Sequence, residues 1–341
     1  MLPVAIARTA TPSAGGCGGE DQVSRCDPST MMAMAARLPP IAILGATAVG
    51  KTAVAVALAR RLCRCELVSV DAMAVYRGLD IGTAKPSPAE REGLRWHLID
   101  VVEPHEEFSV ARFQRLARSA LEAIAAQARR PILVGGTGLY HRSVIDELDL
   151  PGQYPELARA LAGEAAQVGG TERLHQRLAS LDPVAAARME PRNTRRVVRA
   201  LEVTIGSGRP FSSFGPGLCA YPPIATRLVG LRRPRGELDA RIEARLDAQL
   251  AAGFVEEVAG LAKRPQGLSR TAAQALGYRE LLEHVAGRVS LERARELTLN
   301  RTRTFARRQE AWFRRDPRIE WLDANDPELV DHLVARCERD A

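Results

Sequence analysis

The sequence lacks any CxxC pair. Its six cysteines, Cys17, Cys26, Cys63, Cys65, Cys219 and Cys337, are scattered, and Cys63 and Cys65 stand too close for the usual zinc spacing. They read as reduced thiols of a cytosolic protein, which excludes a disulfide scaffold or a zinc knuckle. No run of 18 apolar residues exists, so nothing is expected to span a membrane. Residues 1 to 38 lack periodicity and the uninterrupted apolar stretch of a signal peptide, and acidic Glu20, Asp21 and Asp27 argue against a transit peptide. A disordered extension or a misplaced start codon fits that segment better, with Met31, Met32 and Met34 as alternative starts. Beyond it there is no internal repeat and no low-complexity tract.

What is present is an ordinary globular composition, 46% hydrophobic and 26% charged over 341 residues, enough for one large or two modest domains with a sizeable core. The formal net charge of +7 comes from an excess of arginine. It points either to an acidic partner, nucleic acid first, or to a generally arginine-rich composition; the placement of the arginines decides between them.

Ile41 to Leu44 is a short apolar run between Pro39-Pro40 and Gly45 and predicts a buried strand, with a helix over 50 to 62. Glu66 to Val70 predicts a second strand ending at Asp71. Pro131 to Val134 predicts a third, ending at Gly135-Gly136-Thr137, and 109 to 129 a helix between them. Strand–helix alternation of this kind implies a parallel sheet with helices on both faces, whose ligands sit beyond the C-terminal strand ends. Gly45, Asp71 and Thr137 fall at such ends and are expected to share a cleft. The texture then turns helical, over 156 to 167, 171 to 180, 183 to 189 and 193 to 206. A strand returns at 226 to 231, followed by helices at 236 to 252, 254 to 263, 271 to 286 and 290 to 314. The expected organisation is an α/β core over 39 to 150 and 213 to 325, an all-helical insert at 151 to 212, and a tail from 326 to 341.

Gly45-Ala46-Thr47-Ala48-Val49-Gly50-Lys51-Thr52 matches G-x-x-x-x-G-K-T between a strand and a helix. That is a P-loop: its backbone N–H groups and the helix N-terminus face a di- or triphosphate, Lys51 supplies a point charge, and Thr52 offers a hydroxyl for Mg²⁺. Asp71 could ligate the metal, act as a base, or simply cap a turn.

From here the sequence resembles the tRNA dimethylallyltransferases closely, from about residue 41 to 323. The matching segments include GATAVGKT (45–52), VDAMAVYRGLDIGTAKPSP (70–88), HLIDVVEP (97–104), ILVGGTGLY (132–140), RRVVRALEV (195–203), RIEARLD (241–247), TAAQALGYRE (271–280) and RRQEAWFR (307–314). The resemblance implies a P-loop-type fold and transfer of a dimethylallyl group from dimethylallyl diphosphate to N6 of the adenosine 3′ of the anticodon. It implies a Mg²⁺-dependent cytoplasmic enzyme, expected to act as a monomer. The P-loop would hold the departing diphosphate, with Arg245 and, one helical turn earlier, Arg241. Asp71 would position the adenine amine and take its proton, and Thr137 would contact the target nucleotide.

The same resemblance places tRNA contacts at Asp71, Ala72, Met73, Ala74, Thr137 and Arg159, and at Arg192, Asn193, Thr194, Arg195 and Arg196. Further contacts are implied at Gln274, Ala275, Leu276, Gly277, Tyr278 and Arg279, and at Arg307, Arg308, Gln309, Trp312 and Arg314. Arg199, Arg301, Arg303 and Arg315 add to the cluster on the same helices, which favours the nucleic-acid reading of the charge. Trp312, Phe313 and Tyr278 are candidates for base stacking or for core packing. Three departures from the family pattern fall on the tRNA side: Ala72 and Ala74 replace a hydroxyl and an amide, Arg192 and Thr194 alter the insert motif, and Ala311 replaces another hydroxyl. Rival readings are a prenyltransferase of free adenine nucleotides, a P-loop kinase, and an RNA-binding protein with an inactive P-loop.

Overall fold

The structure, a computed structural model, describes residues 38 to 339 except 63, 92, 216 and 219. The alternative starts, the extension up to residue 37, Cys63 and Cys219 therefore lie outside it. In chain order the core begins with β1 (Ile41–Gly45), α1 (Lys51–Leu62), β2 (Cys65–Ser69), the single turn α2 (Pro88–Arg91), β3 (Trp96–His97), α3 (Val110–Ala126), β4 (Arg130–Val134) and α4 (Gly138–Ile145). Four helices follow: α5 (Pro155–Ala165), α6 (Gly170–Leu181), α7 (Pro183–Ala187) and α8 (Thr194–Ser207). The chain then returns through β5 (Arg227–Arg232), α9 (Arg235–Ala251), α10 (Phe254–Ala262), α11 (Tyr278–Val285), α12 (Leu291–Phe313), β6 (Glu320–Asp323) and α13 (Leu329–Arg339).

The six strands form one parallel sheet in the order β3-β2-β4-β1-β5-β6. Alternation along each strand sends neighbouring side chains to opposite faces, so the sheet carries two cores. Ala42, Leu44, Val68 and Leu133 pack with Phe113, Tyr140, Phe254, Tyr278 and Phe313 on one face. Ile41, Ile43, Leu67, Ile132 and Val229 pack with Leu58, Leu238, Ile242 and Leu299 on the other. The helical block from α5 to α8 has a smaller core of its own, built on Leu161, Leu174, Leu178, Val197 and Leu201. Two of these helices have side-chain N-caps: Asp182 accepts from Ala185 N, and Asn193 from Arg196 N.

Three differences from the sequence expectations have local causes. β3 and β6 are edge strands of two and four residues, too short to carry a periodic signal. The helix expected over 271 to 286 is broken at Gly277, which takes φ 83 and lies so close to the Phe254 ring that a Cβ would collide with it. The segment from 326 is no loose tail: Leu329, Leu333, Val334 and Cys337 of α13 are buried against the α1 face of the sheet. Leu333→Ala should therefore lower the unfolding free energy by about 2–4 kcal/mol in a denaturant titration. A loss below about 0.5 kcal/mol would mean that α13 is not docked.

Candidate functional site

The loop between β1 and α1 is bent through left-handed backbone at Ala48, φ 64, and Gly50, φ 114. Its carbonyls are held from outside by cations. Lys51 Nζ donates to Ala46 O at 2.7 Å, Arg241 Nε to Ala48 O at 2.9 Å and Arg233 Nε to Val49 O at 2.9 Å. Thr47 is held twice, its hydroxyl by Arg245 Nη2 at 2.7 Å and its N–H by Gln309 Oε1 at 2.8 Å. Thr52 opens α1 and is partly exposed. Arg233 was not expected from the sequence; the one available signal was its place just beyond β5.

Burial pulls the Lys51 ammonium down to about 8, the positive field of Arg245 adds to this, and the Asp71 carboxylate opposes it. Arg245 is also pulled down, chiefly by burial, with Asp71 opposing and Arg241 reinforcing. Two cations and one carboxylate thus act on one another across a single site. The Nε of Arg245 is buried with no hydrogen-bond partner among the described residues. An orphaned cationic donor beside Lys51 is the chemistry that an anionic ligand satisfies.

Asp71 lies two residues past β2, in a turn that it braces itself. Its Oδ1 accepts from Met73 N at 2.8 Å and Ala74 N at 3.1 Å. Its Oδ2 has no hydrogen bond among the described residues and remains available as an acceptor. Thr137 holds the N-cap position of α4 without a side-chain capping bond; its Oγ1 instead accepts from Ala72 N at 3.3 Å, so the Asp71 and Thr137 turns touch. Gly135 makes this possible, because a Cβ there would collide with Val70 O. Gln309 then ties the Thr137 turn to the P-loop, its Nε2 donating to Gly136 O at 2.8 Å. Beneath them His141 is buried, and desolvation, opposed by the Gly135 backbone and reinforced by the field of Lys51, pulls its imidazole down to about 3.

The residues expected to meet tRNA divide into three groups by exposure. Arg192, Asn193, Thr194, Arg195, Arg196, Gln274, Arg279, Arg307, Arg308 and Arg314 are exposed, and Arg159 is exposed with a surface partner in Glu156. Ala72, Met73, Leu276 and Trp312 are partly buried. Others are buried in this structure and do not present their side chains to solvent. Tyr278 is fully buried and its hydroxyl donates to Glu257 at 2.6 Å, so it is not a stacking platform. Ala74, Ala275, Gly277 and Gln309 are buried as well, and Phe313 is core. Arg301 is paired with Glu280, and Arg303 with Glu243 at 3.0 Å.

The family model described as IPP transferase matches residues 74–316. The chain belongs to the IPP transferase family. It is 47% identical over 299 residues to a tRNA dimethylallyltransferase of Nocardioides sp., covering 88% of this chain and 96% of the relative. Against the protein of that name from Kineococcus radiotolerans the identity is 50% over 294 residues, with 85% and 92% covered. The full-length tRNA isopentenylpyrophosphate transferase of Bacillus halodurans aligns with a TM-score of 0.64 at 36% identity, over 89% of this chain and 98% of that one. A eukaryotic dimethylallyltransferase acting on tRNA aligns with a TM-score of 0.72 at 26% identity, over 87% and 76%.

Proposed function

We propose that the chain transfers the dimethylallyl group of dimethylallyl diphosphate to N6 of the adenosine immediately 3′ of the anticodon in tRNA, releasing diphosphate. The observation that carries this reading is that Lys51, Arg245 and Asp71 act electrostatically on one another beside the P-loop while the Asp71 turn touches Thr137. The bond from allylic carbon to oxygen breaks while the bond from N6 to that carbon forms. The diphosphate gains charge as it leaves, and Lys51 and the unsatisfied, buried Nε of Arg245 stand beside the P-loop to stabilise it. An exocyclic adenine amine is a weak nucleophile; Asp71 Oδ2 orients its N–H and takes the proton as the new bond forms. Oδ1 is meanwhile held by the turn, so the carboxylate does not swing.

Mg²⁺ fits this site as a metal carried by its substrate. Among the described residues no cluster of three acidic, histidine or cysteine side chains could hold a metal alone, and Thr52 offers a hydroxyl at the helix start. A bound Mg²⁺ would neutralise diphosphate charge there, with Thr52 as the protein ligand. Among the described residues no helix is long and apolar enough to cross a membrane. The reading is of a monomeric enzyme acting in the cytoplasm.

The exposed Arg192, Arg195, Arg196, Arg279, Arg307, Arg308 and Arg314 would form the surface for the anticodon stem. Arg196→Ala should weaken tRNA binding and reduce the slope of log affinity against log salt by about one. An unchanged slope would remove Arg196 from that surface. The reading as a whole is tested by incubating purified protein with radiolabelled dimethylallyl diphosphate, Mg²⁺ and bulk tRNA, followed by nucleoside analysis. Label in an N6-modified adenosine supports it. Label in free adenine nucleotides, or affinity for ATP with none for the allylic donor, would replace it with one of the rival readings.

A further inference from the structure

We propose that Gln309 is a positioning residue that sets the distance between the prenyl donor and the acceptor adenine. The inference rests on the function proposed above and adds a residue to it. Two turns carry the site. The P-loop would hold the diphosphate end of the donor, and the Gly135-Gly136-Thr137 turn, in contact with the Asp71 turn, would hold the adenine. Transfer requires the allylic carbon and N6 to meet at bonding range, and an error near one ångström in such an approach costs about 10²-fold in rate. Gln309 is the side chain that spans both turns.

It does so from the last turns of α12, 262 residues away from Thr47 and 173 from Gly136. Its Oε1 accepts the Thr47 N–H and its Nε2 donates to Gly136 O, both at 2.8 Å, so the amide orientation is fixed by its partners. The side chain is 7% exposed, which leaves it little freedom and strengthens both bonds. The turn is shaped to receive it. A Cβ on Gly136 would collide with Gln309 Nε2, and a Cβ on Gly138 would collide with the ring of Trp312, one helical turn further along α12. α12 thus serves as a back wall, with Gln309 the polar strut in it. The donor and acceptor turns come from strands β1 and β4, neighbours in the sheet whose ladder reaches to Gly135 N donating to Ile43 O at 3.3 Å, and Gln309 makes the next links, to Thr47 and Gly136. The strut extends that ladder where the chemistry occurs.

The test is single-turnover transfer from labelled dimethylallyl diphosphate to an anticodon stem-loop RNA, with separate equilibrium binding of each ligand and a thermal melt. Gln309→Met keeps the volume and removes both bonds. Gly136→Ala leaves the amide in place but displaces it. For both, the transfer rate should fall about 10- to 100-fold, while each ligand's dissociation constant stays within about threefold of wild type. Combining Gly136→Ala with Gln309→Ala should be less than additive, because removing the amide clears the space the new Cβ needs. Should Gln309→Met fail to melt cooperatively, Gln309→Glu carries the same comparison; it retains the acceptor for Thr47 and loses the donor to Gly136. A cooperatively folded variant that transfers at the wild-type rate overturns the proposal. So does a rate loss matched by equal weakening of both ligands, which marks a residue that only supports the fold. Wild-type protein that transfers nothing to RNA counts against the proposed function itself, whereas active wild type with fully active variants counts against Gln309 alone.

Discussion

Asp71→Ala should lower single-turnover transfer by about 10²-fold or more and leave tRNA affinity nearly unchanged. The expectation follows from the division of labour within one carboxylate. Oδ1 braces the turn through Met73 N and Ala74 N, and Oδ2 has no hydrogen bond among the described residues. Alanine removes both, so a loss of rate in that variant mixes missing base with loosened turn; two surrendered hydrogen bonds are worth about 1 kcal/mol each. Asp71→Asn separates the two. Its Oδ1 still accepts from both amides while its NH₂ group cannot take a proton. If Asp71 is the base, the asparagine variant should be nearly as slow as the alanine variant and melt like wild type. Asparagine turning over at the wild-type rate would leave Asp71 as a turn residue only, which is the role its sequence position also allowed.

Much of the α/β core could be read along the chain because its signals are local. The apolar runs at Ile41 and Pro131, the glycines around them and the lysine of the P-loop sit where the strands and the phosphate loop form. The four helices α5 to α8 were legible as helical stretches, and Leu161, Leu174, Leu178, Val197 and Leu201 form their common core. What remained hidden depends on residues distant in sequence. Tyr278 reads as an aromatic beside a basic patch, yet Phe254 and Glu257 enclose it across the break at Gly277. Gln309 reads as one polar residue in an arginine-rich helix, and nothing nearby in sequence points to Thr47 as its partner. Arg301 and Arg303 look like their exposed neighbours Arg307 and Arg308, but Glu280 and Glu243 on other helices claim them. α13 is a different kind of omission. Leu329, Leu333, Val334 and Cys337 fall at helical spacing and were open to the same pattern argument applied upstream.

Lys51→Met should abolish most transfer and at the same time raise the melting temperature. Both effects come from holding an ammonium in a poorly hydrated loop beside Arg245. The folded-state value of about 8 lies below the ordinary 10.5, so the unfolded chain binds more protons between those limits and stability rises as pH climbs from about 8 toward 10.5. Below about 8 the charged Lys51 is a standing cost, on the order of 1–3 kcal/mol once solvent access is allowed for. Removing it at pH 7 should raise the melting temperature by about 2–6 °C, a gain that shrinks above pH 8 where wild-type Lys51 sheds its own proton. Arg245 cannot do the same, since a guanidinium stays charged, so the site remains cationic at every working pH. The loss of transfer should be about 10²–10³-fold, the scale of removing one preorganised donor from a developing anion. Inorganic diphosphate offers the decisive comparison. It should raise the melting temperature of wild type at pH 7 by supplying the missing counter-charge, and do so far less for Lys51→Met. A methionine variant that melts below wild type at pH 7, or gains as much from diphosphate, would show that the Lys51 charge is already compensated within the fold and is not held in readiness for a leaving group.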